Sequence, residues 1–169
     1  MVLDHIGRIA YTVKSNRADP VLLERFCTHF NFEPMVFEAK DAEGRDVYHT
    51  NVLMGIGTDY ALICLQMIPD PARRAEVTRR LEESGRSVID LTPEQIEEFL
   101  GNTLELTGHR RLLALSARAM EALRPEQRAV IERSAELLPL SIPTLETAGG
   151  SVRCMLAGIH LSPRERTSK

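Results

Sequence analysis

The chain has 169 residues, 43% of them hydrophobic and 27% charged, enough for one globular domain with a buried core. A formal net charge of −3 lacks the basic excess of a nucleic-acid or anionic-membrane surface, and no window approaches the ~20 apolar residues of a membrane span. Asp4, His5 and Arg8 near the start do not read as a signal peptide, and three cysteines, an odd number, do not suggest a disulfide framework; a soluble, cytoplasmic protein is expected.

Taken in order, residues 8–13 read as a strand. A helix follows, with Asp19 as its cap, Pro20 in the first helical position, and Leu22, Leu23, Phe26 and Phe30 at helical spacing. Residues 34–37 read as another strand, 41–46 as a polar turn, and 49–52 as a strand opened by His49. The pattern then returns: a strand at 60–65, a helix from Asp70-Pro71 to Ser84 stopped by Gly85, and a strand at 86–89. A short helix is expected over 92–100, with Thr92 and Gln95 as a capping box and Gly101 as its end. A third round has strands at 101–104, 112–117, 138–141 and 153–156, and a helix over 117–135 that restarts at Pro125.

These segments keep one step. Arg8, Tyr60 and Leu112 begin matching strands 52 residues apart, and the inner segments at 49, 101 and 153 keep the same interval. Periods of this size mark radial or stacked repeats of one supersecondary unit. The unit reads as inner strand, outer strand, helix and closing strand. The expected organisation is one incomplete α/β domain with units at about 1–46, 47–100 and 101–149, a closing strand at 150–161 and a tail at 162–169. Stepping back from His49 puts the first inner strand ahead of Met1, so the first unit is expected to lack it.

The period also selects candidates for chemistry. His49 and Cys154 fall within one residue of equivalent places, so a base and a nucleophile distant in sequence can meet near a common axis. Gly149 and Gly150 precede the cysteine and allow a tight turn and close approach to a ligand. Arg153 beside the thiol is positioned to favour the thiolate, although alternation along a strand points it to the opposite face. Asn51 shares the face of His49 on a strand. Asn102 is the middle-copy counterpart of Cys154 and reads equally as a ligand contact or a turn residue at a strand entry. The plain alternative for Cys154 is a small buried hydrophobe, which is also the reading for Cys27 and Cys64. No Cys/His spacing resembles a zinc site and no glycine loop suits a phosphate, so neither a metal nor a cofactor is expected.

Several segments together resemble the guanidino-group-modifying (pentein, or amidinotransferase-fold) superfamily, and among its members the arginine-deiminase-related citrulline utilisation hydrolases. They are Met-Val-Leu-Asp-His from Met1, Tyr-His-Thr-Asn-Val-Leu-Met from Tyr48, Gly101-Asn102, Pro-Thr-Leu-Glu-Thr from Pro143 and Gly-Gly-Ser-Val-Arg-Cys-Met from Gly149. The resemblance implies a partial α/β propeller of ββαβ repeats, about three of five blades. It implies a cysteine-dependent hydrolase of a C–N bond in a guanidino or ureido amino acid such as arginine or citrulline. Cys154 would be the nucleophile and His49 the acid and base. Asn51 would stand where arginine deiminases carry Asp, with Asn102, Arg153, Gly149 and Gly150 also contacting substrate. Such enzymes are about twice this length, and their remaining carboxylates lie in an amino-terminal half. The chain therefore resembles a carboxy-terminal half. The alternatives are an inactive half-domain that folds as a homodimer or with an amino-terminal half, and an amidinotransferase.

Overall fold

The computed structural model describes residues 1–158 and holds three separate three-stranded sheets joined in chain order. The first consists of β1 (Val2–Asp4), β2 (Ile9–Val13), helix α1 (Pro20–Phe30) and β3 (Glu33–Phe37). The second follows a one-turn helix α2 (Thr50–Leu53). It consists of β4 (Met54–Ile56), β5 (Tyr60–Ile63), α3 (Pro71–Glu83) and β6 (Ser87–Asp90). Helix α4 (Pro93–Glu97) leads to the third: β7 (Leu104–Thr107), β8 (Arg111–Ser116), α5 (Ala117–Ala122), α6 (Pro125–Ile131) and β9 (Glu136–Leu140). The described chain closes with α7 (Pro143–Thr147) and a 3-10 turn at Val152–Met155.

Each sheet repeats one pairing scheme. The inner strand runs antiparallel to the central one, as in Met54 opposite Ile63. The central strand is parallel to the third through a helical crossover, with Ile9 opposite Glu33, Tyr60 opposite Ser87 and Leu112 opposite Glu136. Parallel neighbours require such a crossover, and the caps written in the sequence start two of them. Asp19 accepts from the Leu22 amide at 2.8 Å and Asp70 from the Ala72 amide at 2.9 Å, each followed by proline. The third crossover breaks between α5 and α6 and restarts at Pro125, as its sequence implies.

Four expectations are corrected. The first sheet has all three strands, because the inner strand is Val2–Asp4 and its counterparts are β4 and β7 rather than the segments at 49 and 101. The segments opened by His49 and containing Cys154 are helical turns, not strands. A period fixes the length of the unit but not its phase, and the Thr50 hydroxyl decides it: it accepts from the Val13 amide at 3.0 Å and binds the turn to the end of β2. Residues 150–158 form no closing strand; 159–161 of that expected strand and the tail at 162–169 lie outside the described residues. Finally, α4 is stopped by Phe99, left-handed at φ 63°, with the Leu100 amide reaching the Gln95 carbonyl at 3.0 Å. Gly101 has another task.

One apolar core runs through all three sheets, from Ile9, Tyr11 and Phe37 through Leu62, Val77 and Leu81 to Leu113, Leu115 and Ile131. Between the first two units lies the buried pair Asp4–Arg86, and Arg80 of α3 pairs with Glu33 of β3. Gln95 and Gln127 join the second and third units, bonding each other at 2.8 Å and the carbonyls of Ala122 and Asp90. Cys27 and Cys64 are buried, as their plain reading has it, and burial pushes the Cys64 thiol up to about 11. Among the described residues no helix is long and apolar enough to cross a membrane.

Candidate active site

Three turns that occupy equivalent places in successive units press together. The first carries His49, Thr50 and Asn51, the second Gly101 and Asn102, and the third Ser151 to Cys154. Gly101 is what permits the approach: a Cβ there would lie 2.4 Å from the Val52 carbonyl oxygen and 2.9 Å from the Leu53 carbonyl carbon. Both are backbone atoms and cannot yield, so only glycine fits.

Asn102 follows, only 4% exposed, and links all three turns. Its Nδ2 donates to the Asn51 carbonyl at 2.9 Å and faces Cys154 Sγ at 3.3 Å, while its Oδ1 accepts from the Arg153 amide at 3.1 Å. Asn51 Nδ2 lies 3.9 Å from the same sulfur. The cysteine turn is shaped by Gly149 at φ +88° and by the Ser151 carbonyl, which accepts from the Cys154 amide at 3.0 Å. The buried Ser151 hydroxyl donates to Glu146 Oε1 at 2.9 Å.

Cys154 is exposed at the mouth of a cavity of about 280 Å³. His49, Asn51, Asn102, Gly149 and Gly150 line the same cavity, so six of the seven sequence candidates meet in one place. No hydrogen bond joins His49 to Cys154; the cavity lies between a thiol and an imidazole on different units. The half-buried His49 has its pKa lowered, first by burial and then by the charges of Arg17 and the amino terminus. Its imidazole is therefore biased toward the neutral form that accepts a proton.

Arg153 is the exception. Its side chain lines a different cavity, with Leu3, Leu104 and Glu105, where burial lowers its pKa and the charge of Cys154 opposes the shift. On a tight turn as on a strand, adjacent side chains diverge.

Sequence reasoning missed the charged wall. Asp41, Glu43, Arg45, Asp46 and Glu97 line the cavity together with Phe99. Arg45 binds Asp41 Oδ2 and Glu43 Oε2, each at 2.7 Å. Burial pushes the Asp41 carboxyl up, but bonds from Arg45 and backbone amides outweigh it and hold it below the usual range. The only sequence signal was the dense polar run at 41–46, which reads as a turn whether or not it faces a ligand. Among the described residues no group of three or more His, Cys, Asp or Glu side chains is placed to hold a metal ion.

The family described as N,N dimethylarginine dimethylhydrolase, eukaryotic, matches residues 1–161. No curated protein matches the chain by sequence. Among solved structures, AgrE in its ternary complex with ornithine and NAD+ superposes with a TM-score of 0.72 at 15% identity, over 97% of this chain and 22% of that one. Apo ArgZ, an arginine dihydrolase from the ornithine-ammonia cycle in cyanobacteria, gives 0.69 at 12% identity, over 91% of this chain and 23% of that one. The substrate-bound N-terminal domain of a mutant ArgZ gives 0.67 at 12% identity, over 90% of this chain and 52% of that domain. The chain thus spans about half of that domain and shares its pentein-type α/β fold.

Proposed function

This chain belongs to the eukaryotic N,N-dimethylarginine dimethylhydrolase family, and from that premise we propose that it is the nucleophile-bearing half of a hydrolase that cleaves a C–N bond of a guanidino or ureido amino acid. The convergence of Cys154, His49 and Asn51 on one cavity carries this reading. His49 takes up the proton that the Cys154 thiol loses; the thiolate attacks the central carbon of the substrate, and the C–N bond to the leaving amine breaks as His49 passes that proton to its nitrogen. A covalent S–C adduct remains. Water then adds to the same carbon, His49 takes its proton, and the S–C bond breaks to release a ureido product from a guanidino substrate and regenerate the thiolate. The open cavity between thiol and imidazole leaves room for a carbon attacked by sulfur on one side while its leaving nitrogen is protonated from the other.

Asn51 presents a neutral amide, which suits an uncharged ureido group. The acidic wall, with Glu97 beside the Asn102 turn, suits a cationic guanidinium. The carboxylates that hold the guanidino nitrogens during attack are proposed to come from a second half-domain, a reading supported by coverage of 52% of the ArgZ domain. Incubating the 169-residue chain with N,N-dimethylarginine, arginine and citrulline tests the whole. Release of an amine or ammonia with a mass-detected adduct on Cys154, both lost in Cys154→Ala, supports a hydrolase active by itself. An adduct without turnover supports an incomplete half. Product formation that requires an added acceptor amine supports amidino transfer. A folded chain that forms no adduct with any of the three refutes the nucleophile assignment.

A further inference from the structure

A cysteine that attacks carbon needs its thiolate, and the sequence offered Arg153 as the group that favours it. The structure turns the Arg153 side chain into another cavity, from which its charge reaches the sulfur only through space, and the direct polar neighbours of the sulfur are amides. The nearer of these, Asn102, has an orientation dictated by its other partners. Its Oδ1 accepts from the Arg153 amide at 3.1 Å, and one Nδ2–H donates to the Asn51 carbonyl at 2.9 Å. Reversing the amide would set donor against donor at Arg153 and acceptor against acceptor at Asn51. Only the remaining Nδ2–H is left for the sulfur, 3.3 Å away.

We propose that Asn102 is the thiolate-stabilising residue of this site: a buried side-chain amide, locked by two repeat-equivalent turns, that presents a hydrogen-bond donor and no acceptor to Cys154 Sγ. This rests on the reading of Cys154 as nucleophile. A donor held against sulfur favours the charged form, because a hydrogen bond to an ionised acceptor is about twice as strong as one to a neutral acceptor. At 4% exposure Asn102 gives its amide to these partners rather than to water. The same contact fixes where the sulfur sits relative to His49, since Asn102 bonds the backbone on both sides of the cavity. Asn51 Nδ2, at 3.9 Å, is a secondary donor.

The test reads the thiol itself and needs no substrate, so it is independent of whether the chain turns anything over. The rate of iodoacetamide alkylation is followed at fixed pH, with peptide mapping to assign the modification to Cys154. Asn102→Ala slows alkylation by roughly tenfold, the factor a lost charge-assisted bond produces. Asn102→Asp, which puts an acceptor and a charge in the same volume, slows it further. Asn51→Ala leaves the Asn51 carbonyl in place and slows it less than either. If both Asn102 variants fold and react at the original rate, Asn102 is only a strut between turns and the proposal fails. Should neither fold, the side-chain amide resonance of Asn102 in the unaltered chain decides. It must shift when Cys154 is alkylated; an amide signal blind to the sulfur overturns the proposal.

Discussion

Replacing Asp4 with alanine removes one side of a closed ionic contact between the first two units. The Asp4 and Arg86 side chains are 0% and 2% exposed. They are joined twice, Arg86 Nη2 to Oδ1 and Nη1 to Oδ2, both at 2.8 Å. Oδ1 also accepts the Ile6 and Gly7 amides at 2.9 and 2.8 Å, and Arg86 Nε binds the Gly57 carbonyl at 2.7 Å. Truncation leaves a guanidinium in the interior without its counter-charge and two amides without their acceptor. Breaking a buried pair in this way costs about 3–5 kcal/mol, a large share of the roughly 5–15 kcal/mol that holds a domain together. With a urea slope of about 2 kcal/mol per molar, the unfolding midpoint falls by roughly 2 M. The pair replaced as a whole, Asp4→Leu with Arg86→Met, loses less than either single change because no charge is left stranded, and the double-mutant cycle gives the coupling. Urea melts of the four proteins by circular dichroism measure this. A single variant within about 1 kcal/mol of the original, at unchanged slope, refutes the assignment of this contact as a buried clamp.

Gly101→Ala drives a Cβ to 2.4 Å from the Val52 carbonyl oxygen; it is expected to cost about 1–3 kcal/mol in thermal unfolding and to slow Cys154 alkylation by displacing Asn102. Asp70→Ala removes the side-chain cap of α3 and lowers stability by about 1 kcal/mol in the same urea assay, with no change in Cys154 reactivity. The His49 imidazole titrates below the usual histidine value near 6.5, and Arg17→Ala recovers part of that shift while burial retains the rest, as histidine proton resonances would show. Because folding disfavours the charged imidazole, the unfolded chain takes the proton first. The stability contributed by His49 is therefore complete above about pH 6.5 and is lost as pH falls from there to the folded pKa. A His49→Gln chain lacks this slope.

Much of this architecture was legible because strands and caps obey local rules. Asp19-Pro20, Asp70-Pro71 and the Thr92/Gln95 box start helices where the sequence places them. The central strands start at Ile9, Tyr60 and Arg111, a 51-residue interval within one residue of the step read from the sequence, because a register slip would misplace their buried side chains. The phase of the repeat was not legible. A four-residue turn such as Thr50–Leu53 is shorter than any helical periodicity can reveal, and it was settled by a hydroxyl bonding an amide 37 residues away. The site was half legible. Matching positions brought His49, Asn102 and Cys154 together, whereas the direction of the Arg153 side chain and the cavity-facing wall at 41–46 depend on how units dock.

The sheets and the site differ in the span of chain they must close. Each parallel pairing joins neighbours in one unit, such as Leu112 with Glu136. The bonds around the sulfur span 51, 52 and 103 residues. Closing a longer span costs more chain entropy, and the cavity exists only where the units are docked on their shared core. The turns around Cys154 are therefore expected to open more readily than the pairings within a unit. Hydrogen exchange would register this as amides of Asn102 and Arg153 that open at lower free energy than those of β5 and β8. A chain of this design ties the polar neighbours of one sulfur to the docking of three units.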